Sequence, residues 1–205
     1  SGLLPKQEFP LRTKLDILRH PRWVLTVARN KPRFVNVERE LGPGANVNSF
    51  VGHNMFDPSL DWDDLARFRD RWKRRLLLKG VLRADDAERA AALGVDGVWL
   101  SNHGGRQLDG AISGMDALPE VVSAVGNRLA VIVDGGVRRG SDIAKAVALG
   151  ATAVALGRAP VYGLGAGGEP GARHALEILR DEFDRTLALT GCRSVADLTP
   201  DLVSR

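Results

Sequence analysis

The sequence contains little cysteine and no long apolar run, and each absence excludes a class of protein. Its one cysteine, Cys192, cannot form an internal disulfide, and no histidine lies close to it in the sequence to suggest a metal cluster. We therefore expect a reducing, cytoplasmic environment and no bound metal. No apolar run approaches the length of a membrane-spanning helix. The first four residues lack the features of a signal peptide and an initiator methionine, which indicates a fragment or a processed chain.

The charged residues are distributed unevenly. The chain has 205 residues, 44% of them hydrophobic and 26% charged, as expected of a globular protein with one sizeable core, and its net charge is +4. Between residues 11 and 34, seven cations stand against one anion. Apolar side chains such as Trp23 alternate with these cations, and Pro21 interrupts the pattern. Residues 1–60 are therefore predicted to form a basic amphipathic loop segment.

From about residue 73, short apolar runs alternate with amphipathic helical patterns, which is typical of parallel βα units. Ser141 suits a helix N-cap, and Gly94 and Gly150 stand where helices should end. Four such units make half of an eight-fold α/β barrel, and one domain is expected over residues 61–205. The predicted strands are 76–81, 97–102, 129–134 and 153–157, and the predicted helices are 61–72, 84–93, 115–125, 141–149 and 171–189.

Two further expectations concern packing. The run 76–78 predicts that both faces of the first strand are buried. A short, loosely packed helix is expected over residues 192–205. In the last long helix, a helical spacing of apolar residues should seat the helix against the outside of the sheet, through Leu176, Leu179, Phe183 and Leu187.

Side chains capable of chemistry follow the end of each predicted strand, where α/β barrels gather their functional groups. The first strand ends at Lys79 and Gly80, and Gly157 and Arg158 follow the fourth. The second and third strands end in longer segments, Ser101-Asn102-His103-Gly104-Gly105-Arg106-Gln107-Leu108-Asp109 and Asp134-Gly135-Gly136-Val137-Arg138-Arg139-Gly140.

At this spacing the segments resemble the FMN-dependent 2-hydroxy acid oxidising family, which includes glycolate oxidase, flavin-type L-lactate dehydrogenase and mandelate dehydrogenase. The histidine motif, residues 101–109, is highly specific, whereas the glycines after the third strand would be weak alone. The similarity covers residues 61–205, and the segment around His20 and Trp23 further resembles the mandelate dehydrogenase branch. The resemblance implies FMN as the cofactor and the C-terminal half of a TIM (β/α)8 barrel.

The chemistry explains the histidine motif. Oxidation of a 2-hydroxy acid to the 2-keto acid needs a base to take a proton while the flavin accepts the hydride equivalent, and the resemblance assigns this role to His103. Gly104 and Gly105 leave room for a ligand, which favours this role over a purely structural histidine. Arg106 is expected to hold the substrate carboxylate through two parallel hydrogen bonds. No catalytic role is predicted for the other histidines, His20, His53 and His174.

The resemblance also implies how FMN is held. Lys79 would lie beside the pyrimidine edge of the flavin, where its charge stabilises the reduced anionic ring, and Ser101 would donate a hydrogen bond to the ring. Asp134 would bind the ribityl hydroxyls. Arg139 is expected to be a solvated helix-start residue, and Asp109 either orients another group or is an ordinary loop acid. The phosphate would be held by backbone N–H groups and arginines of Gly135, Gly136, Val137, Arg138, Gly157 and Arg158.

A complete family member has eight strands, and its first half supplies further contacts to flavin and substrate. Half a barrel would expose two sheet edges and much apolar surface. We therefore expect an N-terminal half as a second chain, or the association of two halves, and a homo-oligomer similar to a tetramer. In the mandelate dehydrogenase branch the loop after strand four attaches the enzyme to the membrane. Residues 11–60 occupy this place, so they are expected either to bind an anionic membrane surface or to form ordinary helices on the barrel.

Three functional interpretations follow. The leading one is FMN-dependent oxidation of a mandelate-like or lactate-like acid, with electrons passed to a quinone, another carrier or oxygen, and the resemblance favours a dehydrogenase over an oxidase. The second is a non-catalytic half-barrel subunit that binds phosphate or FMN, which would not need His103 and Arg106 together. The third is another flavin or phosphate-binding barrel enzyme, which would need a cysteine nucleophile in a barrel loop, unlike Cys192. Nucleic acid is not an expected partner because no recognition motif accompanies the basic residues.

Overall fold

A computed structural model describes residues 10–29, 39 and 57–203. The chain divides into two compact units, Ser1–Asp61 and Trp62–Arg205, which are described in turn. Within the described residues, no helix is both long and apolar enough to cross a bilayer.

The described part of the first unit consists of two short helices that pack on each other, α1 (Leu11–Leu18) and α2 (Pro21–Arg29). The predicted interruption at Pro21 is confirmed, since this proline is the first residue of α2. At this position a backbone N–H would have no acceptor within the helix, so its absence breaks no hydrogen bond. No side chain of α1 is buried. More than half of the surface of each of five large apolar residues is exposed, namely Leu11, Leu15, Leu18, Trp23 and Leu25. Most of the predicted segment beyond Arg29 lies outside the described residues.

The second unit confirms the predicted βα alternation. Its four strands are parallel and neighbour one another in chain order. The strands are β1 (Leu77–Val81), β2 (Gly97–Leu100), β3 (Ala130–Asp134) and β4 (Ala153–Ala155). The helices are α3 (Trp62–Arg71), α4 (Ala84–Ala92), α5 (Gly114–Val125), α6 (Gly140–Ala148) and α7 (Arg158–Leu189). Helices α4 and α6 end before Gly94 and Gly150, as predicted, and both glycines have positive φ.

The core lies between one face of the sheet and the helices. Alternate strand residues point toward the helices, and four of them, Val98, Leu100, Val131 and Val133, are buried. They form one cluster with side chains of α4, α5 and α6 that are also buried, among them Ala87, Ala90, Leu118, Val121, Val125 and Ala146. This burial fixes which strand residues point to the opposite face.

The opposite face of the sheet, which we call the inner face, is partly exposed. Its middle layer runs across the four strands through Lys79, Trp99, Ile132 and Ala153, which are register partners. Leu77, in the layer below, is 41% exposed. The prediction that both faces of β1 are buried is therefore wrong for the described chain, because its helices cover only one face.

Several element ends differ from the predictions. Ser141 is not an N-cap, because α6 begins at Gly140 and the carboxylate of Asp142 accepts hydrogen bonds from the N–H groups of Arg138 and Arg139. The expected terminal helix is replaced by two short 3₁₀ turns, Val195–Asp197 and Pro200–Leu202.

The last helix, α7, differs most from its prediction. It begins at Arg158 and is broken by non-helical backbone at Gly167 and Gly168. It packs chiefly against α6, not directly on the sheet, so that Leu179 is buried while Leu176 is 47% exposed. The predicted seat against the sheet is therefore wrong, because α6 supplies the contact surface.

The contact between α6 and α7 depends on Gly140. A Cβ atom on this residue would overlap with the backbone of Glu182 and Phe183. We expect Gly140→Ala to lower the free energy of unfolding by about 1–3 kcal/mol, because the two helices must move apart. The matched control is Gly165→Ala in α7, where a Cβ meets nothing within 4 Å. That variant should gain up to about 1 kcal/mol from helix propensity, and equal unfolding midpoints in denaturant for both variants would contradict the prediction.

Candidate active site

The candidate site lies at the carboxyl ends of the four strands. Because the strands are parallel, these ends lie on one side of the sheet. The sheet thus brings the predicted residues of all four strand ends to one rim, from Lys79 on β1 to Arg158 at the start of α7.

The loop after β2 has a tightly specified backbone. The side-chain oxygen of Asn102 accepts hydrogen bonds from the N–H groups of Gly104 and Gly105, at 3.0 and 3.2 Å. His103 has a φ of +56°, and it is the only residue other than glycine with positive φ among the residues that the structure describes. Its N–H donates to Ser101 Oγ at 3.1 Å. The sequence Ser-Asn-His-Gly-Gly therefore holds the histidine backbone in a conformation that few residues adopt, as is common at functional sites.

The imidazole of His103 lies against Gly80 of the neighbouring strand. Gly80 is the extra residue of a β-bulge, with a φ of +94°. A Cβ atom on Gly80 would lie 3.4 Å from His103 Nε2, so a larger side chain here would crowd the ring. The glycine at the end of β1 thus makes room for the histidine.

Lys79 and Asp134 form the electrostatic centre of the site. Lys79 Nζ donates to Asp134 Oδ2 at 2.9 Å, and the same oxygen accepts a hydrogen bond from Trp99 Nε1 at 2.9 Å. The ammonium group also lies 4.6 Å from the centroid of the Trp99 ring, within the range of a cation–π interaction. Ser101 is buried, its Oγ accepts the hydrogen bond from the N–H of His103, and its hydroxyl group helps to stabilise the Asp134 carboxylate.

These contacts determine the charge state of Asp134. Burial raises the pKa of the carboxyl group, but the hydrogen bonds from Ser101, Lys79 and Trp99 and the charge of Lys79 outweigh burial, and the pKa of Asp134 lies below its ordinary value. Asp134 is therefore an anion at neutral pH.

Asp134→Asn should lower the free energy of unfolding at neutral pH, and this difference from the unchanged protein should disappear in acid. The folded protein holds the pKa of Asp134 below that of the unfolded chain. The stabilisation is therefore complete above about pH 4 and is lost as the pH falls through the lowered value. Denaturant unfolding of both proteins at pH 7 and in acid tests this. Asp109→Asn is the control, and a difference that is constant with pH would contradict the prediction.

Glycines and arginines line the other part of the rim. Gly135 and Gly136 have φ values of +99° and +74°, and a Cβ on Gly136 or Gly157 would meet nothing within 4 Å. Arg158 reaches the histidine loop, since its Nη2 atom lies 3.6 Å from where a Cβ on Gly104 would stand. Val137, between the glycines and the arginines, is half-buried.

The backbone N–H groups at the start of α6 and just before it already have partners within the protein. Those of Arg138 and Arg139 donate to Asp142, and that of Gly140 donates to Glu182 Oε2 at 2.9 Å. Arg139 also pairs with Glu182 at 2.7 Å, so it joins α6 to α7 and is not merely solvated as predicted. The backbone N–H of Arg138 is thus engaged by a carboxylate.

Arg106 and Asp109 lie on the exposed outer part of the loop after β2. Arg106 follows the 3₁₀ turn His103–Gly105. The carboxylate of Asp109 accepts a hydrogen bond from the N–H of Gly110, and no hydrogen bond or ion pair between Asp109 and His103 appears among the described residues. Asp109 therefore acts as a loop acid in this structure.

Sequence patterns missed three residues of the site. Trp99 contacts both Lys79 and Asp134, Asn102 holds the histidine loop, and Gly80 makes room for the imidazole. Trp99 lies two residues before Ser101 in a strand, so alternation places it on the same face, and this spacing was an available signal. The asparagine before two glycines is likewise typical of a side-chain-capped turn.

The described residues suit a flavin mononucleotide. The guanidinium groups of Arg138 and Arg158 make no hydrogen bond or ion pair with any residue that the structure describes, so both are available to a dianionic phosphate. Open space beside Gly136 and Gly157 allows their backbone to approach the same group closely. Lys79 places a cation at the same rim.

Comparisons with known proteins agree with this chemistry. The family model "FMN-dependent dehydrogenase" matches residues 2–205. (S)-mandelate dehydrogenase of Pseudomonas putida is 45% identical over 194 residues, which are 94% of this chain and 49% of that protein. An L-lactate dehydrogenase of Caulobacter vibrioides (strain NA1000 / CB15N) is 45% identical over 184 residues, which are 89% of this chain and 48% of that protein.

Among solved structures, the crystal structure of the monotopic membrane protein (S)-mandelate dehydrogenase is similar, with a TM-score of 0.81 and 44% sequence identity. The similarity covers 94% of this chain and 52% of that one. The chain thus spans about half the length of the curated relatives that it matches.

Proposed function

The chain belongs to the FMN-dependent dehydrogenase family, and from this premise we propose that it provides the catalytic rim for oxidation of a 2-hydroxy acid to the 2-keto acid. The predicted family and cofactor are confirmed: FMN is the cofactor of the family, and the four βα units are half of a TIM barrel. The observation that carries the proposal is the position of His103, held with positive φ against Gly80, the residue that follows Lys79 at the end of β1.

We assign proton transfer to His103. Its Nε2 atom lies at the mouth of the strand ends, against Gly80, where it can accept the proton that a 2-hydroxy acid loses. FMN, when bound, accepts the two electrons that leave the substrate. Arg106 is the substrate-binding residue in this proposal, because its exposed guanidinium can hold a carboxylate in a bidentate manner and orient the reacting carbon.

The remaining residues hold the cofactor. Lys79 and Ser101 are assigned to the flavin ring and Asp134 to the ribityl hydroxyls, which the interactions of Lys79 and Ser101 with the Asp134 carboxylate support. The positive charge of Lys79 favours a reduced, anionic ring. The phosphate is assigned to the glycines and arginines of the rim, Gly135, Gly136, Val137, Arg138, Gly157 and Arg158.

The partly exposed inner face supports a further part of the proposal, which is completion of the barrel. Parallel strands are normally covered on both faces, and here Leu77 is 41% exposed. We propose that an N-terminal half-barrel supplies the other four strands, in agreement with the half-length match to the relatives. The homo-oligomer expected from the sequence belongs to this completed protein.

The substrate class is proposed from the relatives. Proteins named (S)-mandelate dehydrogenase and L-lactate dehydrogenase are both 45% identical to this chain, so a small 2-hydroxy acid with an aromatic or a methyl side chain is proposed. We propose a dehydrogenase, which passes its electrons to a quinone or another carrier.

Anaerobic absorbance spectroscopy tests this function. The protein carrying both barrel halves is loaded with FMN and mixed with (S)-mandelate or L-lactate in the absence of oxygen. We expect loss of the visible flavin absorbance with at least one of the acids, and its slow return on admission of air if the protein is a dehydrogenase. Failure of the complete protein to bind FMN, or an unchanged spectrum with both acids, would contradict the proposal.

We further propose that α1 and α2 attach the protein to an anionic membrane surface on the cytoplasmic side. The exposed apolar side chains of both helices support this, together with Arg12, Lys14 and Arg19 in and after α1 and the monotopic membrane protein among the relatives. In flotation, vesicles with anionic lipid should carry the protein at low salt and lose it at high salt. Leu15→Glu should weaken this binding, whereas Thr13→Ser should not. A protein that remains unbound at low salt would exclude the membrane role.

A further inference from the structure

Trp99 contacts both members of the Lys79–Asp134 pair through its side chain. Its indole N–H donates to Asp134 Oδ2 at 2.9 Å, and its ring lies under Lys79 Nζ at 4.6 Å. Backbone register places Trp99 between Lys79 and Ile132 in one layer of the inner face. This layer lies near the carboxyl ends of the strands, where the cofactor is proposed to bind.

The pair needs such a support because ion pairs open to water are weak. The side chain of Lys79 is 41% exposed and that of Asp134 is 21% exposed. Exposed pairs of this kind hold long, flexible side chains poorly. The indole restricts both partners, since its N–H fixes the position of one carboxylate oxygen and its face attracts the ammonium group. Trp99 is itself half-buried, and its register partners are Lys79 on β1 and Ile132 on β3.

We propose that Trp99 is a positioning residue that holds Asp134 and Lys79 in the arrangement that receives FMN. The inference rests on the proposed function, because it concerns the residues assigned to the flavin. The two contacts have separate consequences. The N–H bond keeps the Asp134 carboxylate in place when Lys79 moves toward a bound ring, and the aromatic face keeps the Lys79 cation close to the rim.

Two substitutions separate these consequences. Trp99→Phe keeps an aromatic face for Lys79 but removes the donor to Asp134, and Trp99→Leu removes both. We expect Trp99→Phe to weaken FMN binding about tenfold, the effect of one hydrogen bond to a charged group. We expect Trp99→Leu to weaken it further and to lower the reduction potential of the bound flavin, because a less well placed Lys79 stabilises the reduced ring less.

The decisive measurement is a double-mutant cycle on FMN affinity, made with the protein that carries both barrel halves. In the Asp134→Asn background, Trp99→Phe should change the dissociation constant by less than about twofold, since the charged acceptor is absent. The matched control is Trp62→Phe, because Trp62 also lies under a cation, Arg89, at 4.8 Å, but in α3. It should leave FMN affinity unchanged. Equal weakening by Trp99→Phe in both backgrounds would show a packing role only and overturn the proposal.

A second measurement needs no flavin. The chain has four tryptophans, so the indole N–H signals of the flavin-free protein can be assigned by NMR. The Trp99 signal should shift on Asp134→Asn and, less, on Lys79→Met, while the Trp62 signal should remain in place. An unshifted Trp99 signal would overturn the inference even if FMN binds. Failure of the unchanged protein to bind FMN, with the shifts present, would overturn the flavin assignment instead.

Discussion

His103→Asn is expected to lower the rate of flavin reduction by substrate by about 10²–10⁴-fold while FMN stays bound, because the site loses its general base. Asparagine can adopt the positive φ that this position requires, so the loop should keep its shape. Anaerobic stopped-flow mixing with mandelate or lactate measures the reduction step directly, and the spectrum of the oxidised protein shows whether the flavin is retained.

The chain offers a matched control for this variant. His174→Asn makes the same substitution on α7, where the side chain is 74% exposed and lies 3.9 Å from Glu177. It should reduce flavin at the unchanged rate. If His103→Asn also reduced flavin within about threefold of the unchanged rate, well short of the loss expected for a general base, His103 would not be that base, whatever the effect on binding.

Arg106→Met is expected to lower kcat/KM by about 10²–10³-fold, since truncating one partner of a charge pair costs about 2–5 kcal/mol. Arg106→Lys should recover only part of this loss, because an ammonium cannot form the two parallel hydrogen bonds of a guanidinium. Steady-state kinetics with a series of 2-hydroxy acids would measure both effects.

Two observations would check the role of Arg106. Arg173→Met, on the exposed face of α7, removes a guanidinium that pairs with Glu169 at 3.1 Å, and it should leave kcat/KM unchanged. A 2-hydroxy compound with an amide in place of the carboxylate should be used equally poorly by the unchanged protein and by Arg106→Met. If Arg106→Met discriminated between acid and amide as well as the unchanged protein does, Arg106 would not bind the carboxylate.

The fold could be predicted largely from local pattern. Short apolar runs such as residues 130–134 predict strands, and glycines predict helix ends, from local sequence alone. The four strands and the order of elements predicted in this way were confirmed. The predictions for the start of α6 and for the packing of α7 were wrong, because contacts with residues distant in the sequence determine both. Gly140 begins α6 because Asp142 and the distant Glu182 accept from the N–H groups at the helix start, and this second partner is 42 residues away. The path of α7 depends likewise on its contact with α6.

The site was predictable as a set of residues but not as a set of contacts. The motif around His103 located the rim, and the family comparison confirmed the cofactor. No pattern in the sequence indicated that Trp99 directs its hydrogen bond to Asp134, because these partners lie 35 residues apart and meet only when β2 and β3 pair. The roles of His103 and Arg106 stay predictions.

The two outer strands of the sheet, β1 and β4, also bear on self-association. An unpaired strand border is a template on which further chains can polymerise. Here β4 has only three residues, and the bulge at Gly80 interrupts β1. One edge of the sheet is therefore short, and the other has an irregular hydrogen-bonding pattern. Such edges are poor templates for a second copy of this chain. In the proposed complete barrel, each edge would pair with a strand that matches its length and register.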